Sequence, residues 1–316
     1  PRLWSKLIDS IIRKHIKLKP TTHEPCVYYE NMAKEQVYLL RQVDDFAVAC
    51  KDIQLAKTVI NEISKHLSVP MHHLGILKRF NGIDIEQTQD YIKLSNRTYI
   101  SKILENYDWA EQSKLPQNPV PMRNEPAYLR CLDTELGPDY KSDSDTYSKL
   151  EKQMGFKYRK ALGELLFCMV TCRPDISYPV IKLTKFANHP SEIHYTALKN
   201  IFRYLRATQQ HGLHYWRETT TQSIHLPKTN KPPLFHVKNE KLKQYAFELC
   251  GFVDANWAQA LTNRKSISGI AMMFAGSLIY YKTKYQSTVA HSTTEAEFVA
   301  ACEAGKVALY LRSILE

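Results

Sequence analysis

The chain has 316 residues, 44% apolar and 24% charged, a composition that supports a folded core and excludes wholesale disorder. Its longest uncharged stretch, 266–281, contains Ser and Gly and falls short of the eighteen or so apolar residues a membrane span requires, so no membrane partner is expected. Lys and Arg number 43 against 32 Asp and Glu, a net charge of +11 that permits a polyanionic partner such as nucleic acid without demonstrating one.

In chain order, Val37 to Leu40 and Phe46 to Cys50 are two β-rich runs. Between them Arg41-Gln42-Val43-Asp44-Asp45, polar but for Val43, predicts a hairpin turn. Ile53, Ala56, Ile60, Ile63 and Leu67 recur at steps of three and four and predict an amphipathic helix. Ile83 and Ile85, then Tyr91, Ile92 and Leu94, predict a second strand pair, followed by a short helix from Arg97 to Tyr107. Five prolines fall between Ser113 and Lys149, and three more in the Lys-rich stretch from Glu218 to Gln244. Neither stretch is expected to form a packed helix or central strand.

Between these joints, Tyr158 to Val170 is apolar enough for a core helix, which Thr171-Cys172-Arg173-Pro174-Asp175 ends. Glu192 to Ala207 predicts another, with Ile193, Ala197, Ile201 and Leu205 on one face and Lys199, Arg203 and Arg206 on another. The last block reads as strands over 249–257, 269–275 and 278–282, then a long helix from Thr294. The expected class is α+β, with segments 1–112, 113–245 and 246–316.

The cysteines are odd in number, lack a C-x-x-C pair, and include Cys168 and Cys172 one helical turn apart in an apolar run. They predict buried thiols in a reducing compartment. No histidine spacing predicts zinc. No charged start and apolar core of a signal peptide follows Pro1, so a secreted protein is not expected.

Four carboxylates stand out. Asp44 and Asp45 are adjacent at the predicted turn. Holding both ionised requires solvent or a cation, and Mg²⁺ takes such hard oxygen donors while keeping positions for phosphates. A solvated turn is the plain alternative. Asp254 shares a strand face with Cys250 and Phe252 and needs exposure or a compensating cation. Glu297 completes Thr294-x-x-Glu297, a capping-box spacing, while Ser292-x-x-Glu295 offers a competing cap. The cationic stripe Lys199, Arg203 and Arg206 is either an ordinary solvated face or a phosphate contact.

The run from Val37 to Cys50, centred on Val43-Asp44-Asp45, resembles the hairpin of Ty1/copia-type retrotransposon reverse transcriptases, whose loop usually reads Y-V-D-D. Pro1-Arg2-Leu3-Trp4 with Asp9, and Glu24-Pro25-Cys26-Val27-Tyr28, look like the preceding palm segment. Phe80-Asn81-Gly82-Ile83-Asp84-Ile85 is similar to F-L-G-I-x-I. Arg173-Pro174-Asp175-Ile176-Ser177-Tyr178 is similar to T-R-P-D-I-x-Y, with Cys172 in place of Thr. His194, Ala197, Arg203-Tyr204-Leu205, Thr208 and Gly212-Leu213 follow the family's H-x-x-A, R-Y-L-x-x-T and G-L stretch. Gly251 to Trp257, Arg264-Lys265-Ser266, Ser268-Gly269 and Ser292 to Phe298 resemble the ribonuclease H signatures of the same Pol polyproteins.

The resemblance implies a partial palm with the start of the thumb over 1–112, a linker and thumb- or connection-like helical region over 113–245, and a truncated ribonuclease H-like domain over 246–316. It implies that Asp44, Asp45, Asp254 and Glu297 are catalytic, metal-binding carboxylates working with Mg²⁺ by two-metal phosphoryl transfer. It also implies that Lys199, Arg203 and Arg206 contact nucleic acid. The implied partners are an RNA–DNA hybrid, a DNA or RNA template-primer, and the remainder of the Pol polyprotein, in an intracellular setting: the cytoplasm and its virus-like particles. Gln42 departs from the pattern at the usual Tyr. The family's third palm carboxylate and the two later ribonuclease H carboxylates have no counterpart in the sequence, so an inactive internal piece of Pol is expected. A non-catalytic nucleic-acid-binding remnant or domesticated protein is the alternative.

Overall fold

Alternating apolar residues and tight hairpins build most of the β structure. The computed structural model describes residues 2–67, 71–107, 115–120, 132–217, 226–228, 247–258 and 263–315. The chain is mixed α and β and divides into two compact units, 1–77 with 309–316, and 78–308.

The first unit opens with α1 (Arg2–Ile11), which continues as a π-helical turn over Ile12–Ile16 and stops at Lys17, in the left-handed region at φ 66°. Trp4, Ile8 and Ile11 recur at helical spacing on its inner side. An antiparallel sheet follows, in the order β1 (Lys19–Pro20), β2 (Val27–Met32), β3 (Glu35–Gln42) and β4 (Asp45–Ala49). Then comes α2 (Ile53–Lys65), capped by the Asp52 carboxylate, which accepts from the Gln54 N–H at 2.8 Å. Ile8, Ile12, Tyr28, Val37, Leu39, Val59 and Ile63 form the core between the helices and the sheet.

The β3–β4 turn is tighter than its polar sequence predicts. Gln42 pairs with Asp45, so only Val43 and Asp44 lie between the strands. Arg41 belongs to the turn by residue type, yet it continues the inward alternation of Val37 and Leu39. It is 8% exposed, and its Nη2 lies 3.6 Å from the Cys26 Sγ.

In the second unit, β5 (Arg79–Phe80), β6 (Ile83–Gln87) and β7 (Tyr91–Ser95) form an antiparallel sheet. It is completed by β8 (Gly212–Trp216), a strand with no clear local signature that pairs with β7. Five helices share one core: α3 (Arg97–Leu104), α4 (Ser144–Met154), α5 (Tyr158–Thr171), α6 (Ser177–Thr184) and α7 (Glu192–Ala207). Helix α4 begins inside the proline-rich stretch expected to lack one, because the prolines end at Pro138. Tyr147 is then free to bury, and Gly155, at φ 84°, ends the helix in the left-handed region. Residues 121–131 of the first stretch, and all of the second but 226–228, lie outside the described residues. A second antiparallel sheet, β11-β10-β9, consists of β9 (Cys250–Asn256), β10 (Ile267–Phe274) and β11 (Ser277–Tyr285), and α8 (Thr293–Leu315) follows. It is tied to β8 by the Trp216 N–H donating to the Ala275 carbonyl at 2.8 Å and by the Tyr215 hydroxyl donating to the Leu278 carbonyl at 2.6 Å.

A fully buried arginine fastens the helical core. Arg173 donates to both Asp175 carboxylate oxygens, at 2.7–3.2 Å, and to the Thr208 carbonyl and hydroxyl at 3.0 and 2.6 Å. The Tyr204 hydroxyl adds a bond to Asp175 at 2.7 Å. Burial opposes ionisation of Asp175, but Arg173 and Tyr204 outweigh it and hold the carboxyl below its ordinary value. Cys168 and Cys172 are buried beside this group. Burial pushes both thiols up to about 12, but the other described cysteines depart from the expected burial, with Cys26, Cys50 and Cys250 half-buried and Cys302 exposed.

His194 closes the start of α7. Its Nδ1 accepts the Ser191 N–H at 2.9 Å, which leaves the proton on Nε2 to donate to the Leu132 carbonyl at 2.7 Å. Burial pushes its pKa from 6.5 down to about 4, against the opposing pull of Leu132 and Asp133. Protonation would turn Nδ1 into a donor facing the Ser191 N–H, leaving only the Ser191 Oγ, also 2.9 Å away, to accept from it.

Two predictions follow from these contacts. Because the folded value of His194 is depressed, its contribution is complete above about pH 6.5 and is lost as pH falls to about 4. The loss approaches about 3 kcal/mol. Melting midpoints should fall across that window, and His194→Gln should flatten the slope there. Asp175 acts in a separate window, below its ordinary value of 3.8. Arg173→Lys keeps the charge but loses the fork. It should cost roughly 2–4 kcal/mol in denaturant unfolding, less than a fully buried pair because the Asp175 side chain is 32% exposed.

Candidate active site

The structure places Asp44 and Asp45 side by side at the exposed tip of the β3–β4 hairpin. Val43 stands at φ 58°, an unusual conformation for a β-branched residue. The tip is anchored from α1, where the Trp4 indole N–H donates to the Val43 carbonyl at 2.9 Å. Gln42 is exposed at the end of β3, on the face opposite Arg41. Two hard oxygen donors with open solvent positions suit a partly hydrated Mg²⁺. Among the described residues, no cluster of three Asp, Glu, His or Cys side chains is placed to hold a metal.

In the second unit, Asp254 lies exposed on β9, opposite Gly269 of β10. Glu297, in the first turns of α8, reaches the next residue of that strand: its Oε1 accepts the Ala255 N–H at 3.2 Å. The two residues are thus neighbours across 43 positions of chain. The competing caps resolve in favour of Ser292, whose Oγ accepts the Glu295 N–H at 3.1 Å, while the Glu295 carboxylate accepts the His291 N–H at 2.7 Å. Glu297 takes no part in the cap.

Lys199, Arg203 and Arg206 line one side of α7, as their spacing predicts, but they are half-buried rather than freely solvated. The Lys199 Nζ lies 5.7 Å from the centre of the Phe156 ring, and burial, then the Arg203 charge, lowers its pKa. The Arg203 Nε is buried without a hydrogen-bond partner among the described residues. The Lys-rich tether over 228–243 lies outside the described residues apart from Lys228.

Trp4 and Arg41 lie within segments of the resemblance, but motif reading gives neither a role at the first site. Helical spacing with Ile8 and Ile11 marks Trp4 as inward-facing, but nothing local reveals its bond to a carbonyl 39 residues away.

The family described as reverse transcriptase (RNA-dependent DNA polymerase) matches residues 1–121. The whole chain is 30% identical to the retrovirus-related Pol polyprotein from transposon TNT 1-94 of Nicotiana tabacum and covers 21% of its length. It is 28% identical to the corresponding polyprotein from transposon RE1 of Arabidopsis thaliana, again over its full length, and covers 18% of that protein. About half of the chain is 33% identical to secreted RxLR effector protein 161 of Plasmopara viticola, covering 90% of it. The chain thus spans about a fifth of the Pol polyproteins it matches. No solved structure matches. Among the described residues no helix is long and apolar enough to cross a membrane. Matched from end to end by these polyproteins, with its first 121 residues in the reverse transcriptase family, the chain belongs to the Pol polyproteins of copia-type retrotransposons.

Proposed function

We propose that this chain is the C-terminal part of a copia-type reverse transcriptase joined to the start of a ribonuclease H-like domain. In this reading, 1–112 is palm and the start of the thumb, 113–245 is linker and thumb- or connection-like region, and 246–316 is the ribonuclease H-like part. The observation that carries the reading is the hairpin tip, which presents Asp44 and Asp45 to solvent within the segment matched by the reverse transcriptase family. The partners are template-primer and RNA–DNA hybrid together with the rest of Pol, in cytoplasmic particles.

Mg²⁺, when bound, would neutralise charge on the attacking and leaving oxygens of a phosphoryl transfer. The chain's own contribution is placement. Asp44 and Asp45 hold oxygen donors on a tip that strand pairing keeps from fraying, and Asp254 and Glu297 offer a second pair where α8 meets β9. The half-buried cations of α7 supply positive charge whose incomplete hydration lowers the cost of docking a phosphate. With two carboxylates at each place, this chain binds hybrid without cleaving it.

A second reading, a non-catalytic nucleic-acid-binding remnant or domesticated protein, has one observation in its favour. Half of this chain accounts for nine-tenths of the Plasmopara viticola protein, so related sequence occurs outside a full-length polyprotein.

Asp44→Asn in a Pol polyprotein carrying this chain should reduce primer extension about a thousandfold or more. Normal extension by that variant would remove the polymerase assignment and favour the second reading. The purified chain, incubated with hybrid and Mg²⁺, should retain it in a salt-dependent way and leave the RNA intact. Arg203→Gln should reduce the slope of log affinity against log salt by roughly one unit. Retention that ignores salt would remove α7 from the interface, and cleavage lost in Asp254→Asn would show that two carboxylates suffice.

A further inference from the structure

Among the described residues, four hairpins close through two residues, and one of them differs from the rest. Ala33-Lys34, Asn81-Gly82 and Ala275-Gly276 each have both central residues at positive φ, between 50° and 82°, the signature of a type I′ turn. At Val43-Asp44 only the first is positive, at 58°, which is the sign pattern of type II′. The two forms interconvert by a flip of the peptide between the central residues.

Residue type does not account for the difference. Asp enters the left-handed region more readily than Lys, yet Lys34 is there at φ 67° and Asp44 is not. Nor does Val43 favour II′, since a β-branched residue is strained at positive φ in either form. What sets this turn apart is a side-chain donor on its central carbonyl: the Trp4 indole N–H, 2.9 Å from the Val43 oxygen. Among the described residues, none of the carbonyls of Ala33, Asn81 or Ala275 receives such a side-chain bond; that of Ala275 takes the backbone N–H of Trp216 instead. In a planar trans peptide the carbonyl and the following N–H point in opposite directions. Fixing the Val43 oxygen toward α1 therefore directs the Asp44 N–H away from α1.

We propose that Trp4 is a positioning residue of the Asp44–Asp45 tip: its indole N–H selects the orientation of the Val43–Asp44 peptide and so fixes where the two carboxylates stand. This rests on the reading of those carboxylates as a divalent-cation site. Trp4 touches neither cation nor substrate and acts only through the turn. An indole is suited to the task because its ring lies against the core of the first unit while its single N–H reaches the turn.

The test uses the full chain, labelled with ¹⁵N and deuterium, and compares wild type with Trp4→Phe. The amide-to-amide NOE between Val43 and Asp44 should be weak in wild type, where these protons lie far apart. It should become strong in Trp4→Phe as the turn relaxes to I′, with the thermal midpoint little changed. Titrated Mn²⁺ should broaden the amides around Asp44 and Asp45 in wild type and require about three- to tenfold more metal in the variant. Should Trp4→Phe fail to fold, replacing Trp4 with benzothienylalanine keeps the fused ring and removes only the donor. An unchanged NOE would overturn the proposal, and so would a changed NOE with unaltered Mn²⁺ broadening. Absence of broadening in wild type would instead overturn the cation-site reading, while the NOE would still decide whether Trp4 sets the turn.

Discussion

The second unit depends on where one guanidinium can be neutralised. Arg173 sits at the break between α5 and α6 with no exposed surface, and a buried charge without partners is costly enough to unfold a domain. Its partners come from two directions. Asp175 lies two residues on, across the 3₁₀ turn that Pro174 opens, and Thr208 ends α7. Satisfying Arg173 therefore fixes the angle at which α5 gives way to α6 and the place where α7 must stop. The chain leaving α7 then enters β8 and completes the β5–β8 sheet. The R-P-D and R-Y-L-x-x-T segments, which identify the family so well, are thus explained by folding, since Arg173, Asp175, Tyr204 and Thr208 are one hydrogen-bonded group.

The first unit has no such centre and relies on apolar packing, with α1 and α2 against a small sheet. Arg41 is the exception. It is buried with a weak sulfur contact from Nη2 to Cys26, and its Nε has no hydrogen-bond partner among the described residues. Asp44 and Asp45, at the tip beyond it, face solvent, which screens the repulsion between adjacent carboxylates.

What the sequence makes legible is whatever repeats locally. The three-and-four spacing of 53–67 appears as α2, the face of Ile193, Ala197, Ile201 and Leu205 as α7, and the alternation around Ile83 and Ile92 as β6 and β7. Illegible are the elements decided at a distance. Strand β8 exists because β7 offers an edge, and nothing in Gly-Leu-His-Tyr-Trp demands it. Arg41 reads as a turn residue by type and is a core residue by position. Adjacency makes the pair Asp44 and Asp45 legible, whereas the approach of Glu297 to Asp254 required the resemblance, because 43 residues and a three-stranded sheet intervene.

That approach has a local cause. The segment from Ser292 to Glu297 spells two overlapping caps, and only one can operate. Since α8 begins at Thr293, Ser292 occupies the capping position, and Glu295 turns back over the helix start to the His291 N–H. Two residues further on, an α-helix has rotated by about 200°. With Glu295 committed to the cap, Glu297 must project from nearly the opposite side, where β9 presents the Ala255 N–H. A β9 that is unpaired on that side among the described residues needs such an acceptor, because an edge donor invites pairing with a foreign strand. The same geometry therefore covers a strand edge and delivers a carboxylate beside Asp254, and Glu297→Gln could keep the first role while losing the second.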